Sequence, residues 1–242
     1  MSLRGVILAG GKGTRLGELT RVTNKHLLPV GQFPMVYHPL KKMVGAGIRD
    51  ILLVSGTEHM GDFVELLGSG REHGCNLTYR VQDEAGGIAQ ALGLAELYCH
   101  GARSAVILGD NIFLDPLAPL LAAANRTPEF AWVALKQVPD PGRFGVADVQ
   151  GGRIVGIDEK PQQPKSDFAV AGIYLYPPDV FDVIRKLKPS GRGELEITDV
   201  NRHYLQQSRL GFTVLSGYWT DAGTLESLAV ANQLVREEPP RF

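Results

Sequence analysis

The chain has 242 residues, of which 44% are hydrophobic and 21% are charged, and its formal net charge is −1. This balance excludes a polycationic nucleic-acid arm and a membrane-surface helix as the main activity, and no apolar run in the sequence reaches the roughly 18 residues of a membrane-spanning helix. The N-terminus shows no secretory signal pattern, and Cys75 and Cys99 have no CxxC spacing. We therefore expect a cytoplasmic protein with reduced thiols that binds neither nucleic acid nor a membrane.

Strand and helix patterns alternate along the first half of the chain. Continuous apolar runs, which are typical of strands buried on both faces of a parallel sheet, occur at 3–9, 50–56, 76–82 and 104–110. The amphipathic segments between them predict helices at 34–46, 59–68 and 86–99. This alternation predicts an α/β doubly wound fold.

The second half has a different pattern. Strand-like runs with hairpin-like spacing predict an antiparallel or mixed region at 130–138, 144–149, 153–160 and 168–176. Further helices are predicted at 177–188, 194–207 and 222–236, with a last strand near 211–217. Because the sequence has no internal repeat, low-complexity tract or linker, we expect a single domain over residues 1–242 with an inserted subregion.

Glycine or acidic residues follow the strands of the first half, in the segments LAGG, VSG, QDEAGG and LGDN. In an open parallel sheet, ligands bind beyond the carboxyl ends of the strands. We therefore expect these residues to meet along one edge of the sheet and to form a binding site there.

The first of these loops lies in VILAGGKGTRL, residues 6–16, and fits neither of two common glycine motifs. The dinucleotide fingerprint needs a glycine where Leu16 stands, and a P-loop needs Ser or Thr after its lysine, where this loop has Gly13. Backbone N–H groups at a glycine turn still favour an anion. The surrounding segment has one acid, Glu18, and five cations, namely Arg4, Lys12, Arg15, Arg21 and Lys25. This excess indicates a polyanion such as a triphosphate, and a tight turn with solvated cations is the alternative.

A set of segments resembles the sugar-1-phosphate nucleotidyltransferases over essentially the whole chain and in the right order. These segments are GGKGTRLGELTRVTNKHLLPVGQFPMVYHPL, VQDEAGGIAQAL, LGDN, FGVAD, EKP, VAGIYLY, GELEITDVN and YWTDAG. The segment VTNKHLLPV is most similar to the glucose-1-phosphate thymidylyltransferases. The resemblance implies a nucleotidyltransferase fold, which is a Rossmann-like doubly wound mixed sheet, mostly parallel, with a small inserted antiparallel sugar-binding region.

The resemblance also implies a reaction. Members of this family join a nucleoside triphosphate to a sugar-1-phosphate, release pyrophosphate and use Mg²⁺. Residues 1–125 would then form the nucleotide-binding half and residues 126–242 the sugar-phosphate-binding half. The partners would be these two small molecules, and assembly into a homo-oligomer is left open.

The family motifs assign site residues at matching positions of this chain. The nucleotide-binding residues implied are Leu8, Gly10, Gly11, Gly13, Thr14, Arg15, Gln82, Gly87 and Asp110. The catalytic residues implied are Arg15, Lys25 and Lys160. The sugar-phosphate ligands implied are Gly145, Glu159, Lys160 and Gly172, and the Mg²⁺ ligands are Asp110 and Asp221.

Taken alone, several of these residues have a structural alternative. Asp110 could cap a turn, Asp221 could be the N-cap of helix 222–236, and Gln82 could satisfy a buried loop carbonyl. Glu159 and Lys160 could form an exposed salt bridge. A regular strand would direct their side chains to opposite faces. Both serve one site only if the strand becomes irregular before the following proline.

The resemblance favours dTTP and glucose-1-phosphate as the substrates. The amide of Gln82 suits the N3–H and O4 edge of thymine or uracil, which predicts poor use of ATP and GTP. The same reaction with UTP or another sugar-1-phosphate is one alternative, and a non-catalytic sugar-nucleotide sensor is another. An oxidoreductase fails on the dinucleotide fingerprint, and a pure sensor has no need of two metal carboxylates.

Overall fold

A computed structural model of the protein describes residues 2–11 and 13–242. In chain order, its strands are β1 (Leu3–Leu8), β2 (Pro29–Val30), β3 (Phe33–Pro34), β4 (Asp50–Gly56), β5 (Asn76–Gln82), β6 (Arg103–Leu108), β7 (Asn111–Phe113), β8 (Ala131–Gln137), β9 (Gly145–Gln150), β10 (Arg153–Glu159), β11 (Phe168–Tyr176), β12 (Leu210–Val214) and β13 (Trp219–Asp221). Its α-helices are α1 (Tyr37–Gly45), α2 (Met60–Leu67), α3 (Ile88–Gly93), α4 (Glu96–Cys99), α5 (Ala118–Ala124), α6 (Val180–Ile184), α7 (Ile197–Gln206) and α8 (Leu225–Glu237).

Four parallel strands form the part of the sheet built by the first half of the chain. β1 pairs with both β4 and β6, so that Val6 lies opposite Leu52 on one side and Val106 on the other. β5 adds to the far side of β4, also in parallel. Parallel neighbours need crossover connections, and α1, α2 and the α3–α4 segment supply them. The predicted doubly wound, mostly parallel α/β sheet is confirmed.

The second half extends the same sheet with antiparallel strands. β11 pairs antiparallel with β6 and with β8, and β12 then lies parallel to β8. The hairpin β9–β10 turns through Gly151 and Gly152, which both have positive φ angles, as the favoured two-residue turn requires. Strands of both halves are therefore hydrogen-bonded into one nine-stranded sheet, and the predicted antiparallel region is confirmed.

Both faces of the sheet are buried at β1, β4 and β6, which explains their continuous apolar runs. The same expectation is wrong for β5, an edge strand in which exposed and half-buried residues alternate up to Val81. Val6 and Leu52 belong to the core on one face, whereas Ile7 and Leu53 belong to the core on the other. Successive side chains of a strand point to opposite faces, so each of these strands contributes to two cores.

Some predicted elements differ from the observed ones. The predicted helix 86–99 is interrupted, because a tight turn from Leu92 to Ala95 separates α3 from α4. The predicted helix 177–188 is α-helical only over α6, and the strand predicted near 211–217 ends at Val214. Helix α5 and the short strands β7 and β13 were not predicted, since three-residue strands carry too little periodicity to be recognised.

Candidate active site

A cavity of about 380 Å³ lies at the carboxyl ends of β1, β5 and β6, where the glycine and acidic residues were expected to meet. Its walls include thirteen residues singled out from the sequence, namely Leu8, Gly10, Gly11, Arg15, Lys25, Gln82, Gly87, Asp110, Gly145, Glu159, Lys160, Gly172 and Asp221. Within the described chain, Gly13 and Thr14 are not among its walls. Lys12 lies outside the described residues.

Two cations line one part of this cavity. Lys25 lies in a short 3-10 turn that Asn24 caps, and its Nζ donates to Asp110 Oδ2 at 2.5 Å. Both side chains of this pair are nearly buried, with 10% and 14% of their surface exposed. Arg15 projects from the exposed turn Thr14–Thr20. This positive part of the cavity therefore combines a fixed ammonium group, from Lys25, with a guanidinium group on the rim, from Arg15.

The two predicted metal carboxylates are brought together by main-chain pairing. β7 pairs antiparallel with β13, which places Asp221 opposite Asn111, the residue after Asp110. A methyl group built on Gly223 would lie 3.3 Å from Asp221 Oδ2 and 3.7 Å from Asp110 Oδ2. The N-cap interpretation of Asp221 is wrong, because Thr224 caps α8 in a reciprocal pair with its N3 serine.

The environments of these two carboxyl groups differ. Burial tends to raise the pKa of Asp110, but the charge of Lys25 and hydrogen bonds from Lys25 and Asn111 outweigh it and hold that pKa below its usual value. Burial and the charge of Asp110 raise the pKa of Asp221 to about 6, although nearby arginines and Lys25 oppose this shift. The charged form of Asp221 is therefore disfavoured chiefly by burial, and a bound cation would stabilise it.

The donor set at this point fits Mg²⁺. This hard cation commonly takes one or two carboxylates from the protein and completes its shell with water and substrate phosphate oxygens. Among the described residues, no group of three or more His, Cys, Asp or Glu side chains is placed to hold a metal by itself. Asp110 and Asp221 would thus be its protein ligands, and phosphate oxygens would be needed to complete the site.

A second part of the cavity is lined by an amide side chain and by glycine backbone. Gln82 ends β5, is 6% exposed, and its Nε2 donates to Gln90 Oε1 rather than to a loop carbonyl. Gly87 precedes α3 with a φ of 99°, and a side chain there would clash with Leu195 O at 2.5 Å. This part of the cavity offers hydrogen-bonding groups and no large side chain from Gly87, which suits a flat ring.

A third part of the cavity, the polar end, contains Glu159 and Lys160 of the predicted EKP motif. Lys160 has a φ of 43°, so β10 becomes irregular immediately after Glu159 and both side chains line the cavity. Thr198 Oγ1 donates to Glu159 Oε2 at 2.5 Å, and Arg192 donates to Glu159 Oε1 at 3.2 Å. Lys160 Nζ lies 3.6 Å from Glu159 Oε1, so the two residues do form the salt bridge of the structural alternative, with an exposed lysine, and both still line the cavity.

Gly172 lies where β11 departs from regular pairing with β8. Its N–H donates to Asn111 Oδ1 at 2.9 Å, and a side chain there would lie 2.6 Å from Asn111 Nδ2. Trp219 Nε1 donates to the same oxygen at 2.6 Å, and Asn111 Nδ2 donates to Asp110 Oδ1 at 2.9 Å. This buried asparagine therefore connects Asp110 with β11 and with Trp219 of β13.

The sequence reasoning missed several cavity residues, namely Asn111, Arg143, Arg192, Thr198 and Trp219. All five stand in or beside the family motifs LGDN, FGVAD, GELEITDVN and YWTDAG. Two of their contacts join distant parts of the sequence: Arg143 lies 3.6 Å from Asp221, and Arg192 donates to Glu159 Oε1 at 3.2 Å. Motif content could have flagged these residues, but only the fold shows what they contact.

The buried histidine of the cavity is not suited to proton transfer near neutral pH. Burial, followed by the charge of Lys25, lowers the pKa of His26 to about 3. Its Nδ1 lies 2.7 Å from Asn24 Oδ1, so the neutral ring is held by a hydrogen bond. The chemistry of this cavity therefore rests on fixed charges rather than on a histidine base.

Comparison with known proteins agrees with this geometry. The nucleotidyl transferase family model matches residues 4–238. The chain belongs to the nucleotidyl transferase family. Its relatives include the glucose-1-phosphate thymidylyltransferase of Neisseria meningitidis, 44% identical over 97% of this chain and 83% of the relative. The enzyme of the same name from Mycobacterium tuberculosis is 41% identical over 97% of this chain and 82% of the relative.

Solved structures show the same family fold. A Bacillus anthracis protein assigned as a glucose-1-phosphate thymidylyltransferase, crystallised with sucrose, has 54% identity and a TM-score of 0.95 over 100% of this chain and 97% of that one. A UDP-glucose pyrophosphorylase with UDP-glucose has a TM-score of 0.86 at 23% identity, over 98% and 99% of the two chains, and shows the fold alone. This chain is therefore a nucleotidyltransferase that is similar to the glucose-1-phosphate thymidylyltransferases. Every helix that the structure describes is too short or too polar to cross a bilayer.

Proposed function

We propose that this nucleotidyltransferase joins dTTP to glucose-1-phosphate and forms dTDP-glucose and pyrophosphate. The observation that carries the proposal is that three groups of residues line one cavity. Gln82 and Gly87 form the first group, the Lys25–Asp110 pair with Asp221 forms the second, and Glu159 with Lys160 forms the third. In that order, the three groups suit a base, a triphosphate and a sugar phosphate. The names of the thymidylyltransferase relatives support this substrate pair.

The reaction needs charge and position more than it needs a base. A sugar-1-phosphate has a second pKa of about 6, so near neutral pH it reaches the site as an ionised nucleophile. One of its oxygens forms a bond to the α-phosphorus, and the bond from that phosphorus to the bridging oxygen breaks. The electron pair of the broken bond leaves with pyrophosphate.

The residues of this chain would act by neutralising and aligning the two anions. Arg15 and Lys25 would hold the triphosphate, and Lys160 would hold the attacking phosphate. Asp110 and Asp221 would hold Mg²⁺, which would supply positive charge to the substrate phosphates. Because burial lowers its pKa, His26 is neutral and is not needed to accept a proton, since the sugar phosphate is already ionised.

Two other functions make different predictions. UTP in place of dTTP would need the same Gln82 contact, because uracil and thymine share the N3–H and O4 edge. A non-catalytic sensor would bind the same ligands without needing Asp110 and Asp221 as a pair. The proximity of both carboxylates to Gly223 favours the enzyme.

A substrate panel tests the proposal. We expect pyrophosphate release from dTTP with glucose-1-phosphate, some release with UTP, and a kcat/KM lower by about 10²-fold or more with ATP and GTP. The panel pairs each nucleotide with glucose-1-phosphate, galactose-1-phosphate and mannose-1-phosphate. Equal turnover of ATP and dTTP would contradict the role given to Gln82. Binding of dTTP without any pyrophosphate release would favour the sensor.

The polar end of the cavity gives a further prediction. Glu159→Gln should raise the KM for glucose-1-phosphate by about tenfold and leave the KM for dTTP nearly unchanged, since it removes one acceptor for sugar hydroxyls. Lys160→Ala should lower kcat as well, because its charge acts on the attacking phosphate. Steady-state kinetics with each substrate varied in turn measures both effects. Lys165→Ala, at an exposed lysine of the following loop, is the control. An increase confined to the KM for dTTP would mean that this end binds the nucleotide.

A further inference from the structure

We infer that Gln90 is a positioning residue that fixes the orientation of the Gln82 amide and thereby makes the site select a base with a ring N–H over cytosine. The inference rests on the proposed function, because it assumes that Gln82 faces the base. It concerns a residue with no direct role in the reaction. Its basis is one hydrogen bond between two side-chain amides.

The geometry gives the Gln82 amide two different neighbours. On one side, Nε2 donates to Gln90 Oε1 at 2.5 Å. On the other side, Oε1 lies over the α-carbon of Gly10, so closely that a methyl group built there would overlap it. Gly10 and Gln82 both line the cavity. The amide is therefore held with its oxygen toward the glycine loop and its nitrogen toward α3.

Gln90 is itself held in place by the fold. It lies on the first turn of α3. Two hydrogen bonds tie the start of this helix and the residues before it to Leu195: Ala89 N donates to Leu195 O at 3.1 Å, and Leu195 N donates to Gly86 O at 2.8 Å. The stem of Gln90 packs over Gly86, where a side chain would lie 3.1 Å from its Cγ and Cδ. Its acceptor oxygen is thus presented from a fixed point.

This orientation fits one pattern of base edge. A glutamine amide offers one carbonyl acceptor and two N–H donors. With one N–H used by Gln90, the cavity is offered the oxygen and the second N–H. Thymine and uracil present a ring N–H beside a carbonyl, so they match this pair. Cytosine presents a ring acceptor beside an amino group, so it requires the amide to be turned over.

Turning the amide over has a direct cost at Gln90. The carbonyl oxygen of Gln82 would then face the carbonyl oxygen of Gln90 where a donor now stands. Binding of cytosine would have to turn Gln90 as well or leave two acceptors in contact. A glutamate at position 90 would prevent the second turn, because an ionised carboxylate has acceptors only. A methionine there would remove the restraint and keep a similar length.

The experiment compares dTTP and dCTP in the wild-type enzyme, Gln90→Glu and Gln90→Met. We expect Gln90→Met to lower the dTTP/dCTP ratio of kcat/KM by about tenfold, which corresponds to the loss of one hydrogen bond between neutral groups. Gln90→Glu should keep the wild-type ratio or increase it. Gln233→Met, at an exposed glutamine of α8, is the matched control and should leave the ratio unchanged. Thermal unfolding of each variant without nucleotide reports on folding.

The stabilisation of Tm by dTTP and by dCTP gives a second measure that does not depend on turnover. A wild-type protein that binds dTTP but forms no product would contradict the proposed function, and the binding ratios would still decide the role of Gln90. A dTTP/dCTP preference that is absent in the wild-type protein would overturn the inference. So would a preference that Gln90→Met leaves intact, or one that Gln90→Glu lowers as far as Gln90→Met does. If Gln90→Met fails to fold, Gln90→Ala, which also removes the amide, takes its place, and the same outcomes apply.

Discussion

Asp110→Asn and Asp221→Asn are each expected to lower kcat by about 10²-fold or more. Each substitution keeps the size of the side chain and a hydrogen-bonding group but removes one negative charge facing the proposed metal. Because the two oxygens approach the same point beside Gly223, each carboxylate should be insufficient without the other. Raising the Mg²⁺ concentration should restore only part of the rate. Initial-rate measurements of pyrophosphate release over a Mg²⁺ titration test this expectation.

A control separates the effect of these two carboxylates from a general loss of charge. Asp62→Asn changes an exposed aspartate of α2 and should leave kcat unchanged. Full activity of Asp110→Asn would rule out the charge-based mechanism. Recovery of the complete wild-type rate at high Mg²⁺ would reduce the role of the carboxylates to metal affinity.

Lys25→Met is expected to lower both the stability and the activity of the enzyme. The substitution leaves Asp110 in a nearly buried position without its partner ammonium. Breaking a buried ion pair on one side typically costs about 3 kcal/mol or more in the free energy of unfolding. The loss of a fixed charge beside the α-phosphate should also lower kcat by about 10²-fold. Urea denaturation and initial rates measure the two effects.

The double variant Lys25→Met, Asp110→Asn separates stability from catalysis. An asparagine at 110 carries no charge that needs a partner, so the free energy of unfolding should recover much of its wild-type value. The activity should stay low, because both charges are missing. Lys41→Met, at a lysine outside the cavity, controls for the loss of a lysine. A double variant that is as unstable as Lys25→Met would show that Lys25 stabilises the fold by contacts other than its ion pair.

Much of the fold could be predicted because its central strands are buried on both faces. Val6 and Ile7 pack into opposite cores, and such strands produce continuous apolar runs that the sequence displays. The edge where Gln82 and Asp110 meet followed from the rule for parallel sheets. The end of α3 could not be predicted, because the turn at Leu92 and Ala95 leaves the amphipathic pattern of 86–99 intact.

The site was predictable as a set of residues but not as a set of contacts. Glu159 and Lys160 share the cavity only because Lys160 adopts a left-handed backbone conformation, which no local pattern required. The bond from Gln82 to Gln90 and the contacts of Asn111 join segments whose separation in the sequence hides them. Gly13 and Thr14 remain predictions from the family motif.

The pairing of β7 with β13 has a consequence for how this enzyme could change its substrate. Backbone hydrogen bonds fix Asp221 opposite Asn111, whatever side chains the intervening chain carries. The hairpin β9–β10 lies within that intervening chain, and its residues Gly145 and Glu159 line the polar end of the cavity. Mutations that remodel the hairpin would therefore leave the spacing of the two carboxylates intact. A single catalytic centre could in this way diverge toward different sugars, and directed evolution of sugar scope should concentrate its libraries on residues 145–158 of this hairpin.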